Sequence, residues 1–399
     1  MDKFVERLIA SLPDAMKPSP VDASWMLIDC DDPLAFWSQF IGAMVKGVPI
    51  VLMDPSWPAA WKSQIGELLK QAPPEKGQIL IPTSGSSGPP KLCIHDAHTL
   101  GCAAMAFAER FQPAGIIHSI NVLPQHHVGG LMPVWRSAGC GGKSVFAHYR
   151  DSDWASSAGL PLEQCSLSLV PTQLGRLLQS SSTVQQLKKL GLVLTGGSAC
   201  PPAILEKARQ EGIRLAPCYG MTETAAMVTL LDPEAFLNGG TGVGTALPGM
   251  SVTIGNGGCI EILSDSIHRG YHGIDEPFQR DPFVTNDVGQ VDASGSLHVM
   301  GRADRAINTG GETVHPEQVE AAALSTGLVN GARCRGIPDP DWGMRIELTI
   351  HPAEGVPDPA ESLSEALRKL LPPYAIPKSI LVGDLPDTNE MGKPRSGAE

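Results

Sequence analysis

Apolar and polar positions follow one rhythm up to about residue 240 and a different one after it. In the first part, stretches with apolar residues at helical spacing alternate with short unbroken apolar runs. Pro33–Val45, Trp61–Gln71, His98–Phe111, Thr172–Leu178 and Pro201–Glu211 predict helices, the last with proline at its start. Val48–Met53, Ile79–Pro82, Ile116–Leu123, Ser166–Pro171, Gly191–Thr195 and Ile213–Cys218 predict buried strands. This alternation predicts an α/β architecture, parallel sheets with helices on their faces. Several strands run straight into glycine turns, with no exact repeat. After about residue 240 the segments are short, alternating and glycine-rich. Val252–Ile254, Cys259–Ile262 and a hairpin over Gly289–Met300 turning at Ser294-Gly295 predict a small β-rich subdomain. Arg302–Arg305 is a charged break. Beyond it, helices at Pro316–Leu324 and Glu361–Leu371 and strands near 332–337 and 345–351 predict a small α+β unit. The polar stretch Pro386–Glu399 predicts a mobile tail.

Composition narrows the class. A chain of 399 residues, 42% apolar and 18% charged, is globular and long enough for two or three domains. With 30 basic and 42 acidic residues the formal charge is −12, which argues against general binding to nucleic acid or an acidic membrane. The nine cysteines are scattered and form no C-x-x-C pair, so free thiols are expected, with no disulfide frame or zinc site. No apolar run reaches membrane-span length and no signal-peptide core is evident, so a soluble cytoplasmic protein is expected.

The chemistry concentrates in Thr83-Ser84-Gly85-Ser86-Ser87-Gly88-Pro89-Pro90-Lys91, just after the strand Ile79–Pro82. Glycines let successive backbone N–H groups converge into a concave anion site, hydroxyls add donors, and Lys91 adds a positive charge. The spacing is not that of a Walker-type loop. Taken alone, a flexible surface loop explains the stretch as well. A histidine pair with two glycines, Pro124–Leu131, follows the strand at Ile116–Leu123, where open α/β sheets place ligands. No acidic or cysteine partner lies at ligand spacing nearby, which argues against a metal on that pair.

Taken with Tyr219–Glu223, Thr285-Asn286-Asp287, Gly301–Glu320 and Gly392-Lys393, these two stretches make six motifs in order. Together they resemble the acyl-adenylate-forming (AMP-dependent synthetase/ligase) family over about residues 30–395. Within it, Leu169–Leu178, Pro124–Arg136, Gly212–Arg214 and Gly242–Pro248 are most similar to the o-succinylbenzoate–CoA ligases of menaquinone biosynthesis. The resemblance implies a large N-terminal adenylation domain, residues 1–303, of two α/β sheets and a β-barrel-like subdomain. A small mobile α+β domain, 304–399, follows it. It implies an acid–thiol ligase with two half-reactions: a carboxylate attacks the α-phosphorus of Mg-ATP, and coenzyme A then displaces AMP. The partners expected are small molecules, with a homo-oligomer left open.

The same resemblance implies roles. Thr83, Ser84, Gly85, Ser86, Ser87, Gly88 and Lys91 would hold the β- and γ-phosphates, and Thr222 the α-phosphate. Glu223, with Thr83, would hold Mg²⁺; Tyr219, Gly220 and Gly197 would lie along the nucleotide, Tyr219 against the adenine. Asp287 and Arg302 would hold the ribose, with Asn286 standing where the family has a glycine and tolerating its left-handed backbone. Lys393 would bridge the attacking carboxylate and the α-phosphate, and Asp304 would be the hinge that swings Gly310-Gly311-Glu312 to the CoA channel. His127 would sit beside the reacting carboxylate. Arg176 is the candidate anchor for a second carboxylate, with Thr172, Gln173 and Ser198 as hydrogen-bond partners. Gly129, Gly130, Gly196 and Gly197 would leave room for a flat ring. Histidine at 126, where the family has an aromatic, and one extra residue before Gly392-Lys393 depart from the pattern. Two alternatives remain: another aryl or fatty acyl-CoA synthetase, and a non-catalytic adenylate-binding homologue.

Overall fold

The structure, a computed structural model, describes residues 3–385 except 14–15, 17, 22, 84–89, 112–114, 152–153, 155–158, 276–277 and 357. Ser84, Gly85, Ser86, Ser87, Gly88 and Lys393 therefore lie outside the described residues. The first sheet has four strands, Met26–Ile28, Ile50–Leu52, Ile79–Pro82 and Leu92–His95, the first three parallel and the last antiparallel. Leu92–His95 escapes the periodic pattern because it is only four residues long. Its presence makes the 83–91 loop a hairpin connection rather than a strand-to-helix turn. The loop's ends are tied where the Thr83 N–H donates to the Lys91 carbonyl at 2.8 Å. Helix Pro33–Lys46 covers this sheet. It starts on Asp32, whose carboxylate accepts from the Ala35 N–H at 2.7 Å, has Pro33 in its first turn, and stops at Gly47 with φ 71°. Its inward residues Phe36, Trp37 and Phe40 are fully buried.

The second sheet has seven strands in the order Thr245–Ala246, Ala226–Leu230, Leu215–Met221, Leu192–Thr195, Cys165–Leu169, His118–Asn121, Ser144–Phe146. The last five are parallel, as the helix–strand alternation predicts, and the first two are antiparallel additions. One correction concerns Tyr219–Glu223, expected as a turn after a strand. The strand runs on through Met221, and the turn is Thr222–Thr224, followed by Ala225 and Ala226 at φ 54° and 76°. Gly220 is required by the hairpin that results, since a Cβ there would stand 1.8 Å from the Ala226 carbonyl oxygen.

The third sheet is an antiparallel meander of Ser251–Ile254, Cys259–Leu263, Phe283–Val291 and Leu297–Arg302. Asn286 lies within the third of these strands, and the positive-φ non-glycine residues described are Ala225 and Ala226, so Asn286 takes no left-handed conformation. The fourth sheet comprises Ile307–Thr309, Glu312–Val314, Val329–Asp339, Gly343–Pro352 and Ser379–Val382, with helices Pro316–Ser325 and Ala360–Leu370. These elements share a core drawn from residues 307–375, with Val319, Leu348, Ile350, Leu363 and Leu367 fully buried. All nine cysteines are free. Among the described residues no helix is long and apolar enough to cross a membrane.

Candidate active site

The parallel strands of the second sheet end at Asn121, Leu169, Thr195 and Met221, and the predicted site residues follow those ends: His127, Thr172, Gly196–Ser198 and Thr222–Glu223. The turn carrying His127 is rigid. Asn121 donates through Nδ2 to the Gly130 carbonyl at 2.7 Å, and Gln125 accepts from the Trp37 indole at 2.8 Å. Gly130 serves this packing rather than a ring pocket, because its missing Cβ would fall 2.0 Å from the Pro124 carbonyl oxygen. Gly196 likewise leaves space filled by Cys218, whose Sγ would lie 2.8 Å from a Cβ. Gly197 takes φ 84° and is exposed, as is Ser198.

Thr222 and Glu223 sit at the tip of their hairpin, gripped from behind by three residues the sequence reading missed. His95 is fully buried and burial pulls its pKa down to about 4, so the ring is neutral. Its Nε2–H donates to the Thr222 carbonyl at 2.8 Å, while Nδ1 meets Thr99 Oγ1 at 3.0 Å. The backbone N–H of His268 donates to the Glu223 carbonyl at 2.9 Å. The Tyr271 hydroxyl donates to Glu223 Oε1 at 2.8 Å, and Lys91 Nζ lies 5.1 Å from the Tyr271 ring centroid. Glu223 and Lys91 are thus brought together across one tyrosine, 132 positions apart in sequence. A carboxylate held in this way through one oxygen is a hard oxygen donor of the kind a divalent cation takes.

Asp287 and Arg302 are direct cross-strand partners in the third sheet, brought together by the tight turn at Gly295. Burial raises the Asp287 pKa despite the hydrogen bond from the Tyr219 hydroxyl at 2.8 Å. The Tyr219 ring lies in an apolar cluster with Val228, Ile260 and Phe283 and is only 9% exposed. The ring offers little exposed face, and the Tyr219 hydroxyl holds Asp287. Arg302 stands 3.8 Å from Asp287 and forks instead onto Asp304, with Nε donating at 2.8 Å.

The histidine pair does have an acidic partner, contrary to the spacing argument. Asp54, from the end of the first sheet, lies 3.6 Å from His126 Nε2 and 3.7 Å from His127 Nε2. Burial pushes the Asp54 pKa up, but hydrogen bonds from His126 and Ser56 outweigh it and hold the carboxyl well below the usual range.

The expected anchor Arg176 is exposed on its helix, with Nη1 donating to the Tyr149 hydroxyl at 2.8 Å; Thr172 is exposed too, and Gln173 caps its own helix at the Val170 N–H. A different arginine has the properties of an anchor. Arg136, nine residues beyond His127 on helix Val128–Gly139, is 5% exposed. Its guanidinium reaches the Met132 carbonyl at 3.2 Å, Ser168 Oγ at 3.3 Å and the Met227 sulfur at 3.9 Å, with the Phe107 ring 5.3 Å away. Among the described residues no carboxylate pairs with it, and burial lowers its pKa to about 10. A buried cation among a hydroxyl, a carbonyl, sulfur and a ring face carries a charge that a bound anion would offset. Its sequence signal was an arginine amid the apolar run Leu131–Trp135.

Comparison with known proteins places this geometry. The chain matches the model of the family described as AMP-binding enzyme over residues 46–261. A probable 2-succinylbenzoate–CoA ligase of Mycobacterium tuberculosis is 31% identical over 79% of this chain and 82% of its own length. A 2-succinylbenzoate–CoA ligase of Bacillus licheniformis is 28% identical over 74% of this chain, which spans 64% of that protein. In fold the chain is similar to the o-succinylbenzoate CoA synthetase of Bacillus subtilis solved with its acyl-adenylate intermediate. The TM-score is 0.81 at 22% identity, over 98% of this chain and 89% of the other.

Proposed function

Because the chain belongs to the AMP-binding enzyme family, we propose that it is an ATP-dependent acid–CoA ligase that converts o-succinylbenzoate to o-succinylbenzoyl-CoA. Its place would be menaquinone biosynthesis in the cytoplasm. The observation that carries the substrate is Arg136: a buried guanidinium without a carboxylate partner among the described residues, on the helix that His127 begins. An acid with one carboxylate to activate and a second to bury needs such a cation; a fatty acid or simple aryl acid would meet it with hydrocarbon.

In this reading a carboxylate oxygen bonds to the α-phosphorus of ATP as the bond to the bridging oxygen breaks and pyrophosphate leaves. The nucleophile is already an anion, so alignment and charge neutralisation carry the step. Lys91 and the Thr83–Lys91 loop hold the phosphates, Thr222 lies at the α-phosphate, and Asp287 with Arg302 holds the ribose. Magnesium, held by Glu223 with Thr83, supplies neutralisation of the phosphate oxygens when bound. His127 lies beside the reacting carboxylate, and Arg136 takes over from Arg176 as the partner of the ring carboxylate. In the second half-reaction the CoA sulfur bonds to the acyl carbon and AMP leaves. Residues 304–399 turn about Asp304 between the two steps, carrying Lys393 away; the self-contained core drawn from residues 307–375 supports a separable unit.

The test is pyrophosphate release with Mg-ATP and o-succinylbenzoate, beside benzoate, octanoate and 4-oxo-4-phenylbutanoate, with and without CoA. Release with o-succinylbenzoate well above benzoate and octanoate, with 4-oxo-4-phenylbutanoate a much poorer substrate, and thioester on adding CoA, is expected. Release with octanoate in preference would move the substrate, and release with none would leave a nucleotide-binding protein without ligase activity.

A further inference from the structure

We propose that Tyr271 is a positioning residue of the nucleotide site, which fixes the Glu223 carboxylate for its metal and parks Lys91 beside it until phosphate arrives. The proposal rests on the reading of Glu223 and Lys91 given above.

The backbone of Tyr271 is fixed. It forms a β-bridge with Cys93, and around it Ile94 N–H donates to Gly270 at 2.9 Å, Arg269 N–H to Ile94 at 2.7 Å and His272 N–H to Leu92 at 2.9 Å. Residues 269–272 thus extend the first sheet as an added rung beside Leu92–His95, the strand that begins just after Lys91. Behind the ring, His268 packs edge-on at 4.8 Å between centroids, itself wedged against Phe278 and Phe283. The tyrosine therefore has little freedom to move as the site fills.

From this anchorage the segment grips Glu223 twice, through the His268 N–H on its carbonyl and the Tyr271 hydroxyl on Oε1. A glutamate side chain is rotamer-rich, and a ligand oxygen that must be ordered at each binding event binds more weakly than one ordered in advance. With Oε1 held by the phenol, Oε2 would be the oxygen available to a metal. The Tyr271 ring face gives Lys91 a cation–π resting place 5.1 Å from the centroid, from which phosphate oxygens can draw it. One residue so links a metal ligand carried by the second sheet to a phosphate ligand carried by the first.

The two halves of the role separate by substitution. Tyr271→Phe removes the hydroxyl and keeps the ring; Tyr271→Leu removes both. Binding of a non-hydrolysable ATP analogue to the full chain is measured by calorimetry in Mg²⁺ and in EDTA, with Glu223→Ala alongside. For Tyr271→Phe the expected result is about a 10-fold smaller gain from magnesium, the range seen when a partner of a metal ligand is lost. Affinity in EDTA stays within about 2-fold of the parent, and KM rises for Mg-ATP but not for the acid. For Tyr271→Leu, affinity falls in EDTA as well. A Tyr271→Phe protein with the parent's magnesium gain overturns the proposal, and so does equal loss in Mg²⁺ and EDTA, which is the mark of general structural damage. A magnesium gain that survives Glu223→Ala instead removes the reading of Glu223 on which the proposal rests.

Discussion

The nucleotide end and the acyl end of the site handle charge in opposite ways. At the nucleotide end Glu223 is hydrogen-bonded to Tyr271, Asp287 to Tyr219, and Arg302 is forked onto Asp304. At the acyl end Arg136 is buried among sulfur, a hydroxyl and a phenyl ring, with no carboxylate beside it among the described residues. Mg-ATP brings much of its own neutralising charge, so the groups that receive it can rest in pairs and exchange partners. A carboxylate enters bare, and on the proposed reading the cation that receives it stands without a carboxylate until then. On the proposed reading the fold would carry that destabilisation in the free state and recover it on binding, and a buried charge would become a test of substrate identity.

The sharpest way to break this contrast is Arg136→Met, which keeps volume and apolar character. Losing one partner of a buried pair costs about 3–5 kcal/mol, so KM for o-succinylbenzoate should rise by about two to nearly four orders of magnitude. Turnover of 4-oxo-4-phenylbutanoate, the same acid without the ring carboxylate, should hold or improve. The ligand-free protein should gain about 1–3 kcal/mol in urea unfolding, because an unpaired buried charge has gone. Equal losses for the two acids, or a protein less stable than its parent, would end the argument that this arginine waits for a carboxylate.

Gly220 and Gly197 sharpen the nucleotide side. A Cβ at Gly220 meets the Ala226 carbonyl at 1.8 Å, an obstacle of backbone that cannot swing away. Gly220→Ala should therefore lose about 3 kcal/mol and with it the Thr222–Glu223 hairpin. At Gly197 the surroundings are open and only φ 84° is at stake, so Gly197→Ala should lose about 1 kcal/mol. Urea midpoints for the two variants check the ratio; similar values would mean that the hairpin yields more easily than its geometry implies.

The two ends also differ in how far the sequence discloses them. The nucleotide end is read from short stretches because its chemistry is local: Thr222 and Glu223 share one turn, and Asp287 and Arg302 flank one hairpin. What stayed hidden there was second-layer support from a distance. Tyr271 reaches Glu223 across 48 positions and His95 reaches Thr222 across 127, both through strands too short to show a period. At the acyl end, Arg176 was the candidate anchor because the resemblance implies a second carboxylate and Arg176 lies in the stretch that carries it, yet it faces solvent toward Tyr149, while Arg136 lay inside an apolar helix face. Periodicity assigns an arginine in such a run to a helix without revealing that its head has no counter-charge. Asp54 was missed for the same reason, since its approach to the histidine pair depends on how two sheets meet. The sheets themselves were legible from alternating helix and strand runs, and the α+β unit from its own closed set of apolar positions.

Acid should act on the nucleotide side first. His95 is buried and neutral with a pKa of about 4, against about 6.5 for an exposed histidine. Its folded pKa is depressed, so the unfolded state binds more protons between pH 6.5 and 4. The stability contributed by the neutral ring is thus complete above pH 6.5 and declines as pH falls. At pH 5 the decline is about 2 kcal/mol, on 1.36 kcal/mol per unit. His95→Gln retains a donor for the Thr222 carbonyl and does not titrate. Its unfolding free energy should fall less between pH 7 and pH 5 than the parent's, with His268, also depressed by burial, leaving a residual slope. Parallel pH profiles for the two proteins would assign the acid sensitivity elsewhere.

The smallest effect concerns Arg302, which forks onto Asp304 and stands 3.8 Å from Asp287. Its fork onto Asp304 is 45% exposed on the arginine side, so the pair adds less than about 1 kcal/mol to stability. Asp304→Asn weakens the fork and leaves the guanidinium freer to reach Asp287, which it already approaches at 3.8 Å. Unfolding should scarcely change, while AMP affinity by calorimetry should improve about 2- to 3-fold, the scale of an exposed charge pair given up before binding. The sign matters more than the size. If nucleotide and Asp304 compete for one arginine, nucleotide binding releases the hinge residue, and the two half-reactions are coupled through a single side chain. A fall in AMP affinity would instead make Asp304 a direct support of the nucleotide and remove the competition.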